Sequence, residues 1–316
     1  MQKIVVLDGH TLNPDDMSWE PLQELGDVTV YPRTGPGDVI KRSENADALI
    51  INKIKMTREV IQALPRLSYI GLMATGFDNV NTEAARESGI CVTNVPGYST
   101  PSVAQHTFAL ILQLSNRVAL HNQSVHEMEW VRSADFSYYK HPIPELYGKT
   151  IGLVGYGAIS SSVEKIAHAF GMRILIASEH ADKAEFGRIV SLEELFESSD
   201  IVSLHTALTP KTAGMVNAEL IGRMKPAAWL INTARGGLIN EKDLSDALHE
   251  NRIAAAAVDV LSKEPPDEDN PLLTAPRCII TPHISWASVE SRQRLMAALI
   301  ENLKAFQAGE RLNVIN

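Results

Sequence analysis

At 316 residues, with 45% hydrophobic and 21% charged side chains, the chain has the length of two ordinary globular domains and too much apolar content to remain disordered. Its 29 basic and 38 acidic side chains leave a formal net charge of -9, which repels a long anionic phosphate backbone and excludes nucleic acid as an expected partner, although one local Arg can still hold a small anion. No apolar run approaches the roughly 18 residues of a membrane span, and the opening MQKIVVLDGH lacks the longer apolar segment and cleavage site of a secretion signal, so no membrane contact is expected and the cytoplasm is the default location.

In chain order, short apolar, β-branched runs alternate with helical stretches. Strands are predicted at 4–7, 28–31, 48–51, 69–73 and 90–94, and again at 150–154, 174–177, 201–204, 228–233, 254–260 and 278–281. Most lack polar alternation, as strands covered on both faces do, so the predicted class is α/β, with doubly wound parallel sheets of Rossmann-like or flavodoxin-like type. The segment NVPGYSTPSVAQHTFALILQL passes from a Pro/Gly turn to a helix start, with Thr100 as N-cap and Pro101 in the first helical position, and a domain crossing is placed there. Cys91 and Cys278 lie in separate apolar runs, ICVTNV and CIITPH, and read as buried reduced thiols with no metal framework. The Pro- and acid-rich stretch KEPPDEDNP, residues 263–271, is a polar loop, equally compatible with plain solvated surface.

Residues 150–160 read TIGLVGYGAIS: an apolar strand, a turn containing Gly155 and Gly157, then a helix running to Phe170. Gly155 permits the tight turn, Gly157 lets the backbone approach a pyrophosphate, and the free N–H groups of the helix start supply an anion site. A merely structural turn has the same pattern. Ser160 stands where Gly or Ala usually allows close helix–strand packing, and its size predicts modest crowding. The next strand, RILIASEH, should end beside an adenosine ribose, with Ser178 where an acid is expected and Glu179 after it. Glu179 either turns inward and selects NAD by repelling a 2′-phosphate, or faces solvent and leaves Ser178 and His180 beside a tolerated NADP phosphate.

Three later strand ends carry candidate chemistry. In AWLINTARGGLINE, Arg235 precedes Gly236 and Gly237 at a strand's carboxyl edge, where doubly wound sheets bind ligands, and its planar fork suits a carboxylate. In AAAAVDVLSKEPP, six apolar residues, 253–258, lead to Asp259 and then Glu264. In CIITPHISWAS, His283 follows another apolar strand. Singly, these read as a helix cap, a turn carboxylate and one of ten histidines. Together they place a cation, a carboxylate and an imidazole at successive strand ends after a dinucleotide turn.

On the residues GYGAIS, NTARGG, VDVLSKEPP and TPHISWAS, the chain resembles the D-isomer-specific 2-hydroxyacid dehydrogenase family over essentially its whole length. Within it, DGHTLNP, GYSTPSVAQHT and TPHISWAS are most similar to the glycerate dehydrogenase, or hydroxypyruvate reductase, subgroup. The resemblance implies an NAD-dependent enzyme, with NADP possible, that moves a hydride to C2 of a small 2-keto acid and needs no metal. It implies that His283 is the acid/base and that Glu264 pairs with its other ring nitrogen and stabilises imidazolium. Arg235 would bind the substrate carboxylate and polarise the carbonyl, and Asp259 would accept a hydrogen bond from the nicotinamide carboxamide. Cofactor contacts are implied at Gly155, Gly157, Ala158, Ile159, Ser178, Glu179, Thr206, Thr233, Ala234, Arg235, Asp259 and His283. Substrate contacts are implied at Thr75, Gly76, Arg235, His283 and Trp286. Thr75 and Gly76 also read as a strand-end turn, and Trp286 also reads as domain or subunit packing.

Family architecture would fold residues 1–98 with 285–316 as a substrate domain and 99–284 as a coenzyme domain, with the site in the cleft between them. A homodimer through the helix near 103–114 is expected by resemblance, although that helix could pack wholly inside one subunit. Three departures stand out: Ser160 with Ser161 and Ser162, Ser178 in place of an Asp, and Ala207 in place of a proline. Two readings compete with this one. A phosphoglycerate dehydrogenase-like enzyme ranks lower because no further basic cluster awaits a phosphate. A non-catalytic NAD(H)-sensing corepressor would favour partner-binding tails. Formate dehydrogenases of the same fold lack the Glu that Glu264 supplies.

Overall fold

Uninterrupted apolar runs become the interior strands of two parallel sheets in the computed structural model, which describes residues 2–316. By contacts the chain divides into two units, Met1–Ser99 with Ala287–Asn316, and Thr100–Trp286.

In the first unit, β1 (Lys3–Val6), β2 (Asp27–Val30), β3 (Ala48–Ile51), β4 (Tyr69–Leu72) and β5 (Cys91–Thr93) lie in the order β2-β1-β3-β4-β5. That is the flavodoxin-like order. Strands β3 and β4, ALII and YIGL, are buried at every position, which is why neither alternates apolar with polar residues. The helix Val289–Gln307 belongs to this unit and buries Leu295, Leu299 and Leu303 at helical spacing. Its Arg292, itself buried, donates to both carboxylate oxygens of Asp16 at 2.6 and 2.5 Å and to the Leu12 carbonyl at 3.0 Å. The bidentate pair pins the 12–16 segment to the helix and holds the Asp16 carboxyl below its ordinary pKa.

The second unit contains β6 (Thr150–Val154), β7 (Arg173–Ala177), β8 (Arg188–Ile189), β9 (Ile201–Leu204), β10 (Trp229–Asn232), β11 (Ala255–Val258) and β12 (Cys278–Ile280), in the order β12-β11-β10-β9-β6-β7-β8. The chain runs outward from β6 through β7 and β8, then returns to the other side of β6 at β9. This reversal makes the carboxyl ends of β6 and β9 the switch point at which such sheets bind ligands.

Every predicted run overlaps a strand. The one strand not foreseen, β8, has two residues at the sheet edge, one of them an exposed Arg, and gives no periodic signal. The run 254–260 contributes only Ala255–Val258 to the ladder, because Asp259 leaves it to enter the site. The helix that starts the second unit, Thr100–Asn116, begins at Thr100 itself, one residue before the predicted start. Both cysteines are free thiols, and each is partly buried where the sequence reading has it buried. Burial pushes the Cys278 thiol up to about 12, which keeps it protonated and inert at neutral pH. Among the described residues no helix is long and apolar enough to cross a membrane.

Candidate active site

The turn after β6 has the geometry that an anion requires. Gly155 sits at φ +88, and a Cβ there would lie 2.7 Å from the His205 carbonyl oxygen, so only glycine fits between the ends of β6 and β9. Gly157 begins the helix Ala158–Ala169 with no side-chain cap, and the Ser161 amide is the first to find a carbonyl, that of Gly157. The amides of Ala158, Ile159 and Ser160 are thus the orphan donors of the helix start, beside an exposed Gly157 and Ala158. Ser160 is buried, and among the described residues its hydroxyl has no partner, which costs about 1–3 kcal/mol relative to a satisfied group. Across the switch point, the imidazole of His205 takes a 2.9 Å contact from the Ser203 hydroxyl, and burial pushes its pKa down to about 4, so it is neutral at physiological pH.

The neighbouring strands β10, β11 and β12 end together, with Asn232 in register with Val258 and Val258 with Ile280. Arg235, Asp259 and His283 therefore leave the sheet at one edge. His283 Nδ1 lies 2.6 Å from Glu264 Oε2, while Glu264 Oε1 accepts the Leu261 amide at 3.1 Å. Both side chains of the pair are partly exposed, as groups that meet a substrate must be. His283 holds a left-handed backbone at φ +54, an uncommon conformation for a residue with a Cβ, and such outliers gather at functional sites.

Arg235 is half-buried, and its Nη1 donates to the Ala234 carbonyl at 2.8 Å. The turn that carries it is stapled by the fully buried Asn232, whose amide donates to the Arg235 carbonyl at 2.9 Å and whose oxygen accepts the Ala234 amide at 3.0 Å. Gly236 lets this turn touch the Glu264 loop: a Cβ there would fall 1.9 Å from the Leu261 carbonyl carbon.

The chain as a whole is similar to known proteins. The family model for the D-isomer specific 2-hydroxyacid dehydrogenase NAD binding domain matches residues 108–285. The chain belongs to this family. It is 46% identical to a hydroxypyruvate reductase of Blautia hydrogenotrophica over 99% of each protein, and 38% identical to a glycerate dehydrogenase of Methylorubrum extorquens over 99% of each. Among solved structures, an acyclic imino acid reductase in complex with NADPH and D-Arg is similar over the full length of both chains, with a TM-score of 0.88 and 31% identity.

This D-2-hydroxyacid dehydrogenase chain offers an NAD what the group needs: a left-handed glycine at the switch point, an uncapped helix start and an open surface over Gly157. Thr206 lies beside Gly155, its amide nitrogen 2.9 Å from where a Gly155 Cβ would be, and Thr233 and Ala234 lead from β10 into the Arg235 turn. Ser178 follows β7, and its hydroxyl accepts the His180 amide at 3.2 Å. Glu179 is exposed and bonded to Lys211, so it takes the solvent-facing of its two predicted orientations. Trp286 is half-buried, three residues beyond His283. Thr75 and Gly76 belong to the first unit, where Thr75 donates to the Val95 carbonyl at 2.8 Å.

Asp259 is engaged by its own chain. Its carboxylate is enclosed and takes three donors of its own chain: the Thr281 hydroxyl at 2.5 Å and the Ile284 amide at 2.9 Å on Oδ1, and the Ser285 amide at 2.8 Å on Oδ2. Its backbone carbonyl accepts the His283 amide at 2.8 Å. The residue thus braces the segment that carries the imidazole. Sequence reading missed Asn232, Thr281 and also Glu241, whose oxygens take the Ser262 amide at 2.6 Å and hydroxyl at 2.8 Å and steady the Glu264 loop. His106 adds a 3.1 Å contact to Thr281. The partners of Thr281 and Glu241 lie more than twenty residues away, beyond any local pattern.

Proposed function

We propose that the protein reduces a small 2-keto acid, hydroxypyruvate to D-glycerate or glyoxylate to glycolate, and catalyses the reverse oxidation. The observation that carries this reading is the 2.6 Å His283–Glu264 pair at the sheet edge that also carries Arg235. With Nδ1 engaged by Glu264, Nε2 is the nitrogen left to exchange a proton with the substrate oxygen, and the carboxylate stabilises the imidazolium that exists before reduction. Arg235, anchored through one nitrogen to Ala234, keeps the rest of its guanidinium for the substrate carboxylate and for the charge that gathers on the carbonyl oxygen. Bound NADH or NADPH supplies the hydride. Asp259 acts as the brace of the 281–285 segment.

Both cofactors are accepted in this reading, with NAD as the expected one, because the Glu179 charge is compensated by Lys211 and rejects a 2′-phosphate only weakly. The test is oxidation of NADH and of NADPH, followed by absorbance, with hydroxypyruvate, glyoxylate and 3-phosphohydroxypyruvate. Turnover of the first two is expected. A preference for the phosphorylated acid would favour the phosphoglycerate dehydrogenase-like alternative, and no turnover with any would favour a nucleotide sensor.

The segment 118–147 leaves Val131, Phe136, Tyr139 and Tyr147 each at least 74% exposed, an apolar display that a soluble chain seldom leaves bare. A second copy of the chain is the proposed cover. Sedimentation equilibrium should give twice the 34.6 kDa chain mass, and a monomer at micromolar concentration would reject the dimer.

A further inference from the structure

Helix Ala158–Ala169 carries a fully enclosed carboxylate, Glu164, that the hydride chemistry does not use. Its Oε2 accepts the Tyr156 hydroxyl at 2.6 Å, and its Oε1 accepts the amides of Phe186 and Gly187, each at 2.8 Å. Burial alone would raise its pKa, yet these donors outweigh that and keep it below the ordinary carboxylate value, hence ionised. Tyr156 is the middle residue of the GYG turn. Phe186 and Gly187 close the loop 178–187 that leaves β7 and returns as β8. One carboxylate therefore ties the phosphate turn after β6 to the far end, just before β8, of the loop whose near end after β7 is where an adenosine ribose is read in this fold.

The same helix grips the loop twice more. Lys165 Nζ pairs with Glu185 at 3.1 Å, and the His168 ring stacks on Phe186 with centroids 3.9 Å apart. Gly187 permits the approach: a Cβ there would stand 2.9 Å from Ile176 and 3.3 Å from the Glu164 carboxylate. A leucine at 164 would serve helix packing better than a buried carboxylate, but it could not hold the Tyr156 hydroxyl and the Phe186 and Gly187 amides at once.

We propose that Glu164 is a positioning residue for the adenosine end of the dinucleotide, locking the cofactor-selecting loop that bears Ser178, Glu179 and His180 to the phosphate turn. The proposal rests on the reading of residues 155–160 as a dinucleotide site. It predicts an effect on cofactor affinity and selectivity, with the chemical step spared.

Glu164→Leu and Glu164→Gln separate this role from folding alone. In the Gln variant the side-chain oxygen still accepts both amides and the NH2 donates to the Tyr156 oxygen, so the clasp survives. With glyoxylate saturating, Glu164→Leu should raise the KM for NADH about 10-fold, narrow the NADH/NADPH preference and leave kcat within about 2-fold, whereas Glu164→Gln stays within about 3-fold of wild type throughout. If circular dichroism shows Glu164→Leu unfolded, His168→Ala carries the test from an exposed position, with an expected rise of about 3-fold in the NADH KM at unchanged kcat. A folded Leu variant with wild-type KM for both cofactors, or a loss confined to kcat, overturns the proposal, as does an unmoved KM in His168→Ala when the Leu variant cannot be read. Wild-type protein that binds neither NADH nor NADPH overturns the dinucleotide reading itself and the clasp with it.

Discussion

Replacing His283 should lower kcat about 1,000-fold while NADH binding stays within about 3-fold of wild type, because the imidazole supplies a proton and not a dinucleotide contact of comparable weight. The choice of replacement matters. At φ +54 an alanine introduces backbone strain of its own, whereas Asn tolerates the left-handed region and leaves the turn intact. Equal losses in His283→Ala and His283→Asn would assign the defect to the missing proton donor. A much milder loss in the Asn variant would instead assign part of it to displacement of the 281–285 segment. Near-normal kcat in His283→Asn, with saturating NADH and keto acid, would remove His283 from the acid/base role altogether.

The strand-end chemistry was legible because it sits in local sequence patterns. A glycine after an apolar strand and before a helix announces a turn that needs a left-handed residue, and Gly155 has that backbone. Arg235, Glu264 and His283 each follow an apolar run closely, so their place at a carboxyl edge could be read before any coordinates. The same logic located the strands but not β8, whose two edge residues bury little. The supports of the site were illegible for a physical reason. Asp259 reaches Thr281, Ile284 and Ser285 across 22–26 residues, and Glu164 reaches Phe186 and Gly187 across 22–23. Such bonds depend on how strands stack in the sheet, which hydrophobic periodicity does not encode. Glu164 in particular looks from sequence like one more charge on a helix, and only its enclosure distinguishes it. The Asp259 motif likewise marks the strand end, but not the direction in which a side chain leaves it.

Arg235→Ala should cost more than any other single change outside His283, with kcat/KM for the keto acid falling about 1,000- to 10,000-fold, or roughly 4–5.5 kcal/mol of transition-state stabilisation. Two losses combine. The substrate carboxylate forfeits a charge-assisted, forked partner, which raises KM, and the carbonyl oxygen forfeits a cation that matters most as charge develops, which lowers kcat. Arg235→Lys divides them: lysine keeps the positive charge but not the planar fork, so it should recover part of kcat while KM remains high. The affinity for NADH, measured by fluorescence titration, should change little in either variant, since Asn232 holds the turn through the backbone of residues 234 and 235 and is untouched by the substitution. Added guanidinium should restore some turnover to Arg235→Ala and none to Arg235→Lys, whose ammonium fills the space. Unchanged KM and kcat in Arg235→Ala would move carboxylate recognition elsewhere in the protein, and the keto-acid reading would then lose the cation on which it depends.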